Sequence, residues 1–398
     1  MKAAGGEAPA RVTSRAAGMA LPADALSTPF RFYDNRQKYL AFVNTCNEKS
    51  AVAHRAAQEL RHIRATPPAV RIFDAGMGDA TVLSRLMRST HRLGPTVPLL
   101  VVAKEISLED VRLGLEKMPD RFLEHPSTVL VITNMNYSEA PRLMPRDIQS
   151  AAALNWQEVR LKGQTSDEYA EQIDELAPML ALGWQTKPSP RTGNPVYVRP
   201  SVLVLYREDH QFLLDRVIPK PGQIFENYDL IVASQPWRAR MSAEFKAQKV
   251  LTPLVRSLAP NGRLLVIQSY GRDPALEIVQ NLWPDENPFK VDRRLLLAAL
   301  KTELGRDASD YSLTAPTDDK AIFRYEMHTL PNEIGDRIGT STLFAAWNAA
   351  IYVNQIEEER LDEVVSRGTY LEATQSVLQK HGGLWFNDET FVVSRRQR

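Results

Sequence analysis

The sequence predicts an α/β chain built on a doubly wound, mostly parallel sheet. Three observations lead there. Wholly apolar runs recur at 70–73 (VRIF), 98–103 (PLLVVA) and 128–133 (TVLVIT), with helix-period segments between them. The first run ends in Asp74 and passes straight into a glycine loop, Gly76-Met77-Gly78. The pattern then resumes far downstream, at 228–233 (YDLIVA) and 263–269 (RLLVIQS). Strands buried on both faces read as unbroken apolar runs, and parallel neighbours need crossover helices between them.

Residues 1–28 are rich in Ala, Gly and Pro and read as a flexible tail. Residues 29–68 read as an N-terminal helical cap: Tyr39, Leu40, Phe42 and Val43 share a face, good helix formers follow to Leu60, and ATPPA at 65–69 ends the run. The core is assigned to 69–140 and 221–398. Within it Val82, Leu83, Leu86 and Met87 repeat at helical spacing, and a second helix is expected over 108–118. Residues 141–220 break the alternation and read as a β-containing insertion, a substrate cover over one rim of the sheet. It is expected to hold a helix at 166–182, a Pro/Gly-rich turn at 187–195, and a hairpin of 196–206 with 211–218 about the turn 207–210. After 233 a helix runs to 258, Pro260-Asn261-Gly262 turns into the strand at 263, and helices fill 290–304 and 341–380. Strands near 323–330 and 384–393 complete the sheet.

The bulk properties exclude several classes. The chain has 398 residues, 43% hydrophobic and 24% charged, as a folded globular protein has. Lys+Arg (49) and Asp+Glu (48) leave a net charge of +1, which argues against nucleic acid as partner. The single cysteine, Cys46, permits no intrachain disulfide and no thiolate cluster, and reads as a small core residue. The seven histidines are scattered, none at metal-ligand spacing, so no metal is expected. No apolar run reaches the ~20 residues that span a bilayer, so no membrane is expected and a cytoplasmic location follows by default. A homodimer is as compatible with the composition as a monomer.

The residues with chemistry cluster at the ends of the apolar runs. Glycines at 76 and 78 let the backbone turn sharply and let a ligand approach without a Cβ in the way, although an ordinary strand-to-helix turn uses the same residues. Thr81 stands where a dinucleotide site needs a small residue, against that class. Glu105 closes the second run, 31 residues after Asp74, where a carboxylate accepts hydrogen bonds from ribose hydroxyls. After the third run, Asn134 and Asn136 offer polar groups to an adenine, with Met135 or Tyr137 against its face. Ser234-Gln235-Pro236-Trp237 follows the fourth. A hydroxyl there suits an acceptor amine, and an indole suits a planar acceptor. Tyr39 and Asn47 are lid candidates. Asp209, His210 and Glu48 are candidates for a general base.

The ordered segments VRIFDAGMGDATVLSRL, VVAKE, YDLIVASQPW and LAPNGRLLVIQSYG resemble the motifs of class I S-adenosylmethionine-dependent methyltransferases, over 69–140 and 221–271. The resemblance implies a Rossmann-like fold and an S-adenosylmethionine cofactor. It places Asp74, Gly76 and Gly78 against the methionine end, Glu105 on the ribose, Asn134 and Asn136 toward the adenine, and Ser234 and Trp237 on the acceptor side as catalytic residues. Ser-Gln-Pro-Trp is similar to the Asp/Asn/Ser-Pro-Pro-aromatic signature of enzymes that methylate nitrogen, with Gln235 in place of the first proline. One departure stands out: the family joins its last two strands by a close hairpin, whereas helices at 341–380 intervene here. The expected activity is methyl transfer to a small-molecule acceptor, with nitrogen as a candidate atom. The rivals are a nucleic-acid or protein amino-methyltransferase and a non-catalytic cofactor-binding interaction protein.

Overall fold

The computed structural model describes residues 36–64, 67–189, 194–329, 333–335 and 337–397; the tail expected at 1–28 lies outside them. In chain order the strands are β1 (Val70–Asp74), β2 (Leu99–Lys104), β3 (Thr128–Thr133), β4 (Asn155–Leu161), β5 (Thr186–Pro188), β6 (Pro195–Tyr197), β7 (Ser201–Arg207), β8 (Tyr228–Ser234), β9 (Leu258–Ser269), β10 (Tyr311–Ser312), β11 (Ile322–Glu326) and β12 (Trp385–Arg395). All but β5 and β6 join one sheet, in the order β10-β12-β9-β8-β1-β2-β3-β7-β4, with β11 also on β12. Strands β9, β8, β1, β2 and β3 are mutually parallel. The chain winds outward from β1 to β3, returns to β8 on the other side of β1, and winds outward again. This is the doubly wound, Rossmann-like arrangement, and its switch point lies between β1 and β8.

Each strand forms where the sequence can bury both of its faces. β1 to β3 and β8 carry Ile, Leu, Val and Phe side chains with essentially no exposure. Residues such as Phe73, Val102 and Val131 meet one helical layer, and Ile72, Val101 and Leu130 meet the other. The second layer is made by α2 (Glu48–Glu59), α3 (Thr81–Leu93), α4 (Leu108–Leu115) and α5 (Pro119–Glu124), preceded in the chain by α1 (Arg36–Thr45), which packs elsewhere. Of these, α2 crosses the sheet face, with Val52 and Ala56 against α3. Ser107 caps α4 by accepting from Asp110 N–H.

The region 141–220 departs from expectation. It contributes α6 (Ile148–Ala152), β4, α7 (Ser166–Asp174), α8 (Ala177–Gly183), the small hairpin β5–β6, β7 and α9 (Gln211–Leu214). β7 pairs antiparallel with β3, and β4 pairs parallel with β7, so most of the segment widens the main sheet. The expected hairpin of 196–206 with 211–218 does not form. Leu214 and Val217, three apart, are buried while Phe212 is exposed, which is a helical rather than a strand phase. The single helix expected at 166–182 is two, Ser166–Asp174 and Ala177–Gly183.

Beyond β8, α10 (Ala243–Lys246) continues through a π-helical turn into α11 (Thr252–Arg256). Strand β9 starts at Leu258, earlier than the turn at 260–262 suggested. That turn is an irregularity inside the strand, with Asn261 at φ 62° and the register to β8 shifting between Tyr228 and Leu230. Then come α12 (Pro274–Leu282), α13 (Arg293–Leu304), α14 (Asp318–Ala321), α15 (Thr340–Val353), α16 (Leu361–Arg367) and α17 (Thr369–His381). β12 runs antiparallel between β9 and β11. Residues 327–384 separate those last two strands, and α15 and α17 pack there with α1 and α12 around Trp347, Phe42 and Phe386.

An added Cβ at Gly262 would lie 2.5 Å from Tyr228 O and 2.8 Å from Ala259 O, both backbone atoms that cannot rotate away. Gly262→Ala is therefore expected to destabilise the fold by about 1–3 kcal/mol, as overpacking does. Chemical denaturation checks this; an unchanged midpoint would show that the β8–β9 irregularity has slack.

Candidate functional site at the β1–β8 switch point

The C-terminal ends of β1, β2, β3, β8 and β9 open on one edge of the sheet. Open α/β sheets bind ligands there, at the switch point. Gly76 follows β1 and donates its N–H to Asp74 Oδ1 at 3.1 Å. A Cβ on Gly76 would have Ser234 O as its nearest neighbour, 4.0 Å away, so the glycine keeps a gap between the ends of β1 and β8. Gly78 adopts φ 52°, and a Cβ there would lie 3.5 Å from Tyr39 Oη and 3.7 Å from Lys49 Nζ. Both of those side chains come from the N-terminal cap. Lys49 Nζ donates to Tyr39 Oη at 3.1 Å and lies 3.7 Å from Asp79, which also accepts from Thr81 N–H and Oγ1.

Glu105 lies where the sequence placed it, at the end of β2. Its Oε1 accepts from Ile106 N–H (2.7 Å) and Ser107 N–H (2.9 Å), and its Oε2 accepts from Gly78 N–H (2.8 Å). The carboxylate ties the glycine loop to the next strand and keeps one further acceptor position on Oε2. Burial and then the Glu105 charge push the Asp74 carboxyl up to about 6, against the pull of Gly76 N–H and Lys49. Burial and Glu105 likewise push Asp110 up to about 6. The crevice is thus crowded with carboxyl groups, an environment that favours a cationic ligand.

Other candidates are placed elsewhere. Asn134 is buried and fully used: its Nδ2 donates to Gly183 O and Arg199 O, both at 3.0 Å, and its Oδ1 accepts from Ser201 N–H at 2.8 Å. It fastens β7 and α8 to the end of β3, so no group remains for a nucleobase. Asn136 forms an Asx turn, its Oδ1 accepting from Ser138 N–H and Oγ while Nδ2 donates to Glu139. Met135 is core. Tyr137 does reach the crevice: its Oη donates to Pro236 O at 2.9 Å, and Lys104 Nζ lies 4.8 Å from its ring centroid. Asn47 accepts from Glu326 N–H and so docks α2 on β11 instead of facing a ligand. Asp209 pairs with Arg207, and His210 meets Ser127, just before β3, at the opposite edge of the sheet. Neither can serve as base here. Glu48, at the start of α2, is close enough to Lys49 and Asp79 for their charges to act on it. Cys46 is buried, its thiol pushed up to about 12 by burial.

Ser234 ends β8 beside Gly76. The rest of its motif is structural. Gln235, at φ 49°, donates Nε2 to both oxygens of Asp388 (3.2 and 3.3 Å) and accepts from Ser269 N–H. Trp237 is 6% exposed; its indole N–H donates to Gln268 Oε1 at 2.9 Å, and Lys246 Nζ lies 5.4 Å from its ring. The cavity beside it, bounded by Gln268, Lys246 and Phe289, measures about 10 Å³, the room of one water. Trp237, expected on the acceptor side, thus packs in the core under α10 with its indole N–H occupied. Gln235, Asp388, Lys104 and Lys49 were missed by sequence reasoning. The adjacent acids Asp388-Glu389 inside an otherwise apolar strand were the available signal.

A second covering comes from the segment between β11 and β12 and from the region 141–220. Ala239 N–H donates to Gln355 Oε1 at 2.9 Å, and Arg240 pairs with Glu286 and Glu357, so the segment after α15 clamps the loop beyond Trp237. From the other side Arg238 hydrogen-bonds Asn194, and Tyr197 Oη donates to Glu139. Past the end of β9 an open cleft of about 350 Å³ is lined by Tyr270, Arg272, Asn287, Phe289, Lys290 and Asp292.

No family model and no curated protein matches the chain. Among solved structures it is similar to an S-adenosylmethionine-dependent methyltransferase from Thiobacillus denitrificans in complex with S-adenosyl-L-homocysteine, at 12% identity over 93% of this chain and 100% of that one, with a TM-score of 0.33. It is also similar to phosphoethanolamine N-methyltransferase 2 from Haemonchus contortus, at 8% identity over 87% of this chain and all of that one, with a TM-score of 0.21. At these scores neither structure bears on the chemistry or the acceptor of this chain.

Trp237→Ala is expected to cost about 3–5 kcal/mol of stability, as large core truncations do. Denaturation midpoints and a thermal melt check this. A variant as stable as wild type would return Trp237 to the ligand-facing residues.

Proposed function

We propose that the chain is an S-adenosylmethionine-dependent methyltransferase acting on a small-molecule acceptor. The observation that carries this reading is the crevice between β1 and β8, where a glycine loop, an anchored acidic residue and a buried carboxyl raised to about 6 meet. The residues fit the cofactor on its methionine and ribose sides. The missing side chains of Gly76 and Gly78 leave the backbone approachable. Glu105 keeps an acceptor position for a ribose hydroxyl. Asp74 supplies negative charge beside the place a sulfonium would take. On the nucleobase side Asn134 and Asn136 are committed elsewhere, which leaves Tyr137 and the backbone after β2. When bound, the cofactor supplies an activated methyl group, and breaking its S–CH₃ bond leaves a neutral thioether.

The protein's task is then alignment, exclusion of water and disposal of one proton. Ser234 at the end of β8 orients the acceptor with its hydroxyl and carbonyl. Tyr39 and Lys49 close the glycine loop from above. Glu48, raised from its ordinary value by burial, is a carboxylate suited to take the acceptor's proton. The cleft beside Tyr270 has the volume of a small-molecule pocket, which supports an acceptor of that size. With Trp237 occupied in the core, the nitrogen signature keeps only Ser234 of its two recognition elements, so nitrogen is one candidate among accepting atoms. A second reading, a cofactor-binding scaffold without turnover, is favoured by the intrachain contacts of Gln235 and Trp237, which leave Ser234 alone of its motif on the acceptor side.

Calorimetry with S-adenosylhomocysteine, followed by transfer of a labelled methyl group into a small-molecule extract, separates the readings. Binding with transfer supports the enzyme, binding alone the scaffold, and no binding overturns both. Gly78→Val, a branched side chain at a left-handed φ in the cradle, is expected to weaken that binding by more than about tenfold, or roughly 1.4 kcal/mol. Undiminished affinity in a folded variant would remove the loop from the site.

Affinity for S-adenosylmethionine should also depend on pH. Asp74 has a folded value near 6, above its unfolded 3.8. Ionising it therefore costs the free protein stability as pH rises from 3.8 through 6, and a cation beside it recovers that cost. Affinity should fall by up to about tenfold per unit as pH drops below 6, the limit for one displaced proton. The neutral thioether product should respond less, and Asp74→Asn should flatten the curve. A pH-independent affinity in wild type would place the sulfonium away from Asp74.

A further inference from the structure

On the β3 side the sheet ends on a strand whose outer edge pairs with no other strand among the described residues. β4 is the outermost strand on the β3 side, seven residues in continuous register with β7, without proline and without a bulge. Asn155 N–H donates to Pro200 O at 2.9 Å. With a period of two, the backbone groups of Asn155, Gln157, Val159 and Leu161 face β7, and those of Trp156, Glu158 and Arg160 face outward. At the end of the strand the Gln172 side chain takes both Lys162 N–H (2.9 Å) and Lys162 O (2.7 Å). The open part of the ladder is therefore centred on 158–160.

Charged side chains on an edge strand normally keep it from pairing. These two are opposite in sign and two residues apart, so they share a face. Their intrachain contacts use one oxygen only. Arg160 Nε and Nη2 donate to Glu158 Oε1, both at 3.2 Å, and Tyr206 Oη donates to the same oxygen at 2.5 Å. Glu158 Oε2 and Arg160 Nη1 have no hydrogen-bond partner among the described residues.

We propose that the chain forms a symmetric dimer by antiparallel pairing of β4 with β4 of a second copy, about a two-fold axis through Val159. In that register Glu158 stands opposite Arg160 of the second copy, and Arg160 opposite its Glu158. Both residues already present their N–H and C=O outward, so each such pair exchanges two backbone hydrogen bonds. The side chains of opposed residues lie on one face, which brings the unused Oε2 to the unused Nη1. Shifting the axis to Glu158 would instead oppose two carboxylates, so charge selects the register. The occupant fitted by this edge is thus the chain itself, and the dimer would carry one continuous sheet with its two crevices far from the junction.

Light scattering on the full chain after size exclusion tests this, with far-UV circular dichroism to confirm folding. Wild type should have the mass of two chains. Arg160→Glu sets carboxylates opposite each other while leaving the Tyr206–Glu158 bond intact, and should give one chain. Arg160→Pro removes an outward N–H at no cost to the β7 ladder and should do the same. The exchange Glu158→Arg with Arg160→Glu rebuilds the complementarity and should restore the dimer. A monomeric wild type, or a dimer indifferent to both single substitutions, overturns the proposal; the second result places the interface elsewhere. Co-purification of another protein on an otherwise monomeric chain overturns it as well.

Discussion

The functional edge of the molecule hangs on two adjacent residues of the last strand. Asp388 and Glu389 point to opposite faces of β12, as neighbours on a strand must, and each grips the segment at the end of β8. On one face Asp388 accepts from the Gln235 side chain. On the other Glu389 accepts from Gln268, which in turn accepts from Trp237, and it is paired at 2.8 Å with the buried Arg293. A carboxylate without exposure is costly unless its lone pairs are used. Glu389 spends its own on Arg293 N–H, the Arg293 guanidinium and Gln268. Asp388 has weaker compensation, and burial drives its carboxyl far above the usual range. The strained Gln235 backbone, at φ 49°, is tolerated because both ends of its side chain are bound.

That anchoring explains why the crevice opens between β1 and β8 and not further along the edge. The β8 end is fixed by β12, and the β1 loop is fixed by Glu105 through Gly78. Only glycine's missing side chain at 76 separates them. The cap completes the enclosure from above: α2 docks on β11 through Asn47 and delivers Lys49 to the loop, where it meets Tyr39 of α1. The helices between β11 and β12 do the same for the far side through Gln355.

Legibility in the sequence tracks burial. β1, β2, β3 and β8 are covered on both faces, so their composition is apolar without interruption and they stand out. β4 (NWQEVRL) escaped because an edge strand needs few apolar side chains, and its pattern looks like a loop. The run 211–218 was read as strand because Phe212, Leu213, Leu214, Val217 and Ile218 are apolar; their spacing, with Phe212 and Leu213 left exposed, is that of a short helix. In the candidate site, the placement of Asp74, Gly76, Gly78 and Glu105 was readable because each stands at or just after the end of an apolar run. The intrachain contacts of Asn134, Asn136, Gln235 and Trp237 were not readable in this way. A polar or aromatic residue at a strand end looks the same whether it meets a ligand or a distant segment of protein, and here the segments lie up to 153 positions away.

The sheet order also has a kinetic side. The two strands that frame the crevice, β1 and β8, are joined by Arg71 N–H to Asp229 across 158 positions, and β12 must slide between β9 and β11 after three helices have intervened. Such closures are paid in chain entropy before they return any contact energy, and folds dominated by them assemble slowly. The outward half β1–β3 can collapse early on local crossovers. The crevice cannot exist until the second half has joined it, so in this molecule competence for binding is acquired at the end of folding rather than along the way.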